Sequence, residues 1–133
     1  MEHQKKLRIG IATGFGMLMG VLCVLGQSQR MPANPLPNAT IYLLGAWYNR
    51  VLMGILIGCA DDWQFVKKKS RPILNAIIRG ALLGTLVSIS FGLLQQSLEI
   101  IYFLAGIVWG ILIDTLTTWI LHNWEKKPKN KRN

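Results

Sequence analysis

Polar and apolar residues segregate along this chain instead of alternating. Residues 9–26, 41–60, 73–94 and 98–121 form four long apolar stretches. The first carries no charge, the second and third hold one arginine each (Arg50 and Arg79), and the fourth holds Glu99 and Asp114. Each stretch is close to the ~20 residues a helix needs to cross a hydrocarbon core of about 30 Å. In hydrocarbon every backbone N–H and C=O has to be satisfied within its own segment, so the pattern predicts an all-α, polytopic bundle of four transmembrane helices. The spans take up most of the 133 residues. That leaves one domain over residues 1–133, ending in a basic tail at 122–133, with no room for a separate soluble unit.

Each stretch also carries two glycines four residues apart: Gly16/Gly20, Gly54/Gly58, Gly80/Gly84 and Gly106/Gly110. Lipid tails are as apolar as leucine, so no hydrophobic force drives helices together inside a bilayer. Gly-x-x-x-Gly grooves instead let backbones approach closely. Residues at i,i+4 share a helix face, and the small-residue faces extend as Ala46, Arg50, Gly54, Gly58 in the second span, Ala76, Gly80, Gly84, Ser88, Gly92 in the third and Tyr102, Gly106, Gly110, Asp114 in the fourth. The connection Gln95-Gln96-Ser97 is so short that the third and fourth helices are expected to be antiparallel neighbours, with Ser97 as N-cap. Gly54-Ile55-Leu56-Ile57 followed by Trp63 recurs as Gly110-Ile111-Leu112-Ile113 followed by Trp119. This weak repeat points to two tandem helical hairpins related by a pseudo-twofold along the membrane normal, against the competing fact that Gly, Ile and Leu dominate all membrane helices.

The remaining connections read as boundaries. Pro32, Pro35 and Pro37 make the first one an extended loop. Asn38-Ala39-Thr40 matches an N-glycosylation pattern, although Asn38 or Thr40 serves more simply as the cap of the second helix. Pro72 suits the first turn of the third helix, where a missing N–H does no harm. Trp63, Trp119 and Trp124 are placed as interfacial anchors. The segment after the first span, Gln27-Ser28-Gln29-Arg30, lacks a small-x-small cleavage site, so that span is expected to be a retained helix.

Net charge +9 and a pI near 10.0, on a mean hydropathy of +0.33, raise the question of nucleic acid. The basic residues sit elsewhere than on an aromatic-studded surface. Lys5, Lys6 and Arg8 precede the first span, Lys67, Lys68, Lys69 and Arg71 separate the second from the third, and Lys126, Lys127, Lys129, Lys131 and Arg132 follow the fourth. By the positive-inside rule this distribution puts both termini and the central loop in the cytoplasm, against anionic headgroups of a plasma or inner membrane. It argues against a nucleic-acid partner.

Candidate chemistry lies with the charges inside the spans. An ionised group at mid-membrane opposes insertion by roughly 2.5–3.5 kcal/mol and therefore faces protein or water. Counted at 1.5 Å per residue, Arg50 falls near the midplane, while Arg79 and Asp114 fall level with each other, about 7 Å toward the cytoplasm. We expect an intramembrane cluster of Arg50, Arg79 and Asp114, with Asn49 and Asn75 as lesser polar members. Two arginines facing one carboxylate leave excess positive charge, suited to an anion or a lipid phosphate unless Arg79 snorkels to the headgroups. Glu99, in the first turn of its helix, favours the helix dipole. His3 and His122 stand alone, Asp61-Asp62 lacks further carboxylates, and no Ser or Cys has a His at helical distance, so no metal, cofactor or catalytic residue is expected. Cys23 and Cys59 differ too much in depth for a disulfide. The expected function is non-enzymatic: a packing or assembly subunit that self-associates or joins a larger membrane complex. The alternative is a small transporter or channel for an ion, anion or lipid, working through Arg50, Arg79 and Asp114.

Overall fold

The computed structural model describes residues 2–30, 38–65, 71–94 and 100–126, and these are helical almost throughout. Four helices follow one another: α1 (Glu2–Ser28), α2 (Ala39–Cys59), α3 (Pro72–Leu94) and α4 (Ile100–Lys126), with one 3-10 turn, Ala60–Asp62, continuing from α2. All four are long and apolar enough to cross a membrane. The proline loop, Lys67–Lys69, the Gln95–Ser97 turn, Glu99 and the tail from Lys127 onward lie outside the described residues.

Helix limits depart from the apolar stretches where polar residues remain compatible with a helix. α1 begins at Glu2, two turns before the first uncharged stretch. Its exposed start is supported by the i,i+4 pair of Lys6 with Glu2 at 2.7 Å. α3 begins at Pro72 as the missing proline N–H allows. Asn38 stands at the N-cap of α2, but its side chain makes no capping bond there, which corrects the expectation of a side-chain cap at this residue. It adopts a left-handed backbone at φ 79°, a region asparagine tolerates, and its carbonyl accepts the Tyr42 N–H at 3.1 Å.

The densest contacts run between α1 and α2 and between α3 and α4. Several glycines sit where the helices come closest. A Cβ on Gly54 would lie 2.5 Å from the Ala12 carbonyl oxygen, and one on Gly16 would lie 2.6 Å from that of Arg50. On the other side, a Cβ on Gly110 would overlap the Gly80 carbonyl oxygen and one on Gly84 that of Gly106. Between the two pairs the contacts are thinner. There a small apolar cluster, Ala12, Met53, Ile57, Leu83, Val87 and Ile113, fills the centre.

The distribution of polarity is inverted relative to a water-soluble bundle. Leu18, Leu86, Leu93, Leu94, Ile100 and Ile101 point outward, whereas Arg8, Asn49, Arg50, Arg79, Ser88, Asp114, Thr117 and Thr118 are buried. Apolar surface on this scale is not left facing water, and it matches a bundle surrounded by hydrocarbon. α1 is the least covered helix, with 17% of its most apolar window buried against 44% for α2 and α3.

Candidate functional site

The buried polar side chains gather in two layers at different depths. The inner layer centres on Asp114, whose carboxylate is wholly buried on α4. Arg79 of α3 grips it side-on, Nε donating to Oδ2 and Nη2 to Oδ1, both at 2.7 Å. This fork is the geometry in which guanidinium and carboxylate match best. Arg8 of α1 donates from Nη2 to the same Oδ1, also at 2.7 Å. Thr118, one turn below Asp114, donates to Oδ1 at 3.3 Å and accepts from Arg8 Nη2 at 3.4 Å. Arg79 Nη1 in turn donates to the carbonyls of Ala60 at 3.2 Å and Trp63 at 3.4 Å, just beyond the end of α2. Side chains from α1, α3 and α4 therefore converge on one carboxylate, the carbonyls that follow α2 hold Arg79, and both arginines are 4% exposed. At the rim Lys5 bridges to Asp62 at 2.8 Å, in contact with solvent.

The second layer surrounds Arg50, which lies deep in the 21-residue α2, about 16 Å from its start at 1.5 Å per residue. Arg50 has no exposed surface. Its guanidinium carbon lies 4.7 Å from the centre of the Tyr102 ring, a cation–π arrangement, and Nη1 donates to Ser88 Oγ at 3.4 Å. The Tyr102 hydroxyl accepts from Asn49 Nδ2 at 3.1 Å, and Phe91 stacks on the Tyr102 ring at 5.1 Å. Arg50 Nε and Nη2 are buried with no hydrogen-bond partner among the described residues. A side chain at Gly106 would collide with Ser88 and approach Arg50 Nη1, so this glycine leaves room for the polar pair as well as for the neighbouring helix.

Of the residues expected to cluster, Arg79 and Asp114 meet, while Arg50 takes Ser88 and Tyr102 as its partners in a separate layer. Asn49 joins the Arg50 layer through Tyr102. Arg8 takes the second cationic place at Asp114, although the charge pattern puts it among the basic residues outside the first span. A signal for this was available. Arg8, Ala12, Gly16 and Gly20 stand at successive i,i+4 positions, so Arg8 continues the same face as the glycines, and all four are buried. The two cysteines are free, Cys23 buried and Cys59 exposed. Comparison with protein-family models, with curated proteins and with solved structures found no match, so the functional reading rests on the residues themselves.

Proposed function

We propose that this chain is a multi-pass integral membrane protein without an enzymatic reaction of its own, acting as a packing or assembly subunit with both termini in the cytoplasm. In this reading residues 1–133 are one transmembrane domain of two tandem hairpins, each closed through its Gly-x-x-x-Gly faces and locked to the other by the Asp114 knot. The observation that carries it is the saturation of Asp114. Its carboxylate is engaged by two arginines and a threonine hydroxyl, which suits a structural lock better than a group that must exchange protons or ions. Assembly is further supported by α1, thinly covered, whose Gly10 and Gly14 have open space beside them; two such glycines four residues apart suit the approach of another membrane helix.

Two measurements on the purified protein and on native membranes test this. Reconstituted into liposomes under an ion gradient, the wild type is expected to give no flux above empty vesicles. A Gly14→Cys variant in a Cys23→Ser/Cys59→Ser background is expected to cross-link in native membranes to a second copy or to another membrane protein. Saturable wild-type flux, or a monomer that cross-links to nothing, would overturn the assembly reading. The alternative, a small anion transporter or channel, is favoured by Arg50, with its buried, unpartnered nitrogens close to mid-membrane.

A further inference from the structure

The interior of the bundle does not balance its charge. The described buried residues include three arginines, Arg8, Arg50 and Arg79, against the single carboxylate of Asp114, and Asp114 is already shared by Arg8 and Arg79. Among the described residues the partners of Arg50 are neutral, the Ser88 hydroxyl and the Tyr102 ring. A guanidinium held away from water with no counter-charge is costly.

The side of Arg50 left over has a particular shape. Tyr102 covers the face of the guanidinium and Ser88 takes Nη1, so what remains is the Nε/Nη2 edge. Arg79 uses that same edge to hold both oxygens of Asp114. Ser88 Oγ, hydrogen-bonded to Nη1, lies on the opposite side of the guanidinium and does not compete for that edge. We propose that Arg50 anchors a binding site for a small monatomic anion of chloride size, with Arg50 Nε and Nη2 as its donors.

Depth and packing narrow the ligand. Arg50 lies about 16 Å along α2 from its start, too deep for the phosphate of a lipid headgroup, so the ion is a free one. Nε and Nη2 are covered by protein in this conformation, so the ion enters by a slight parting of α2 from α3 and α4, along the seam where contacts are thinner than within the pairs. A bulky oxyanion such as sulfate needs a wider parting than chloride does. The site is independent of transport: a resident counter-ion is compatible with a packing role, and the test below reads binding and not flux.

The test follows thermal unfolding of the full-length protein in detergent at constant ionic strength, with chloride, bromide or sulfate replacing gluconate. The wild type is expected to show a saturable rise in Tm with chloride and bromide and none with sulfate. Arg50→Gln should abolish the dependence, while Arg50→Lys should keep part of it. Lys5→Gln, at the solvent-facing rim, should leave the dependence as in wild type. A wild-type Tm indifferent to chloride overturns the site, since the Arg50 edge is then satisfied by water or by protein. An equal rise with sulfate overturns the size argument, and an unchanged chloride dependence in Arg50→Lys, which lacks the Nε/Nη2 edge, overturns the assignment even if Arg50→Gln fails to fold.

Discussion

Replacing Asp114 with asparagine keeps the size of the side chain and removes its charge. In one orientation the amide oxygen takes the place of Oδ1 and still accepts from Arg8 and Arg79, but the amide nitrogen then faces Arg79 Nε at the 2.7 Å separation now held by Oδ2. In the other orientation it faces Arg8 Nη2 and Arg79 Nη2 together. Either way donor opposes donor, and two guanidiniums at 4% exposure are left with no carboxylate between them. Deleting one partner of a buried pair costs about 3–5 kcal/mol. At roughly 3 °C per kcal/mol for a chain of this size, the loss corresponds to a fall of ~10 °C in Tm. Unfolding of the purified protein, followed by circular dichroism on heating and by titration with a denaturing detergent, should show it. Adding Arg79→Gln to the Asp114→Asn variant should recover part of the loss, because it removes one of the stranded cations. The two changes together should therefore cost less than the sum of the single ones. An Asp114→Asn protein as stable as wild type would refute the reasoning, since it would mean that the carboxylate faces water and that the arginines do not depend on it.

The remaining outcomes follow from the same contacts. Arg8→Met should destabilise by about 1.5–3 kcal/mol, the loss of an ion-assisted hydrogen bond, which is less than Asp114→Asn because a neutral Arg79–Asp114 pair survives; Lys6→Met, at a position whose side chain is 73% exposed, should be nearly silent in the same unfolding assay. Gly84→Leu should cost at least the ~1–3 kcal/mol of an overpacked contact, since even a Cβ there meets the Gly106 carbonyl, whereas Leu94→Ile, at 83% exposure, should leave detergent stability unchanged. In a cysteine-free background, Ser70→Cys should react with an impermeant thiol reagent only from the cytoplasmic side and Ser28→Cys only from the outside; the reverse pattern would invert the proposed topology.

Much of the architecture was legible along the chain because membrane helices are local objects. Four apolar stretches of sufficient length imply four helices whatever their neighbours, since each must satisfy its own backbone. Depth is legible too: helical rise put Arg79 and Asp114 at one level, and they meet. What required the tertiary structure was azimuth, the direction in which each helix turns its polar residue once the four are assembled. Arg50 and Asp114 both belong to glycine faces, yet Arg50 turns to Ser88 and Tyr102 while Arg8, arriving from the least covered helix, reaches Asp114. Spacing within a helix says which residues share a face. The distances between backbones that meet at Gly16, Gly54, Gly84 and Gly110 say what that face touches, and those distances come only from all four helices packing at once.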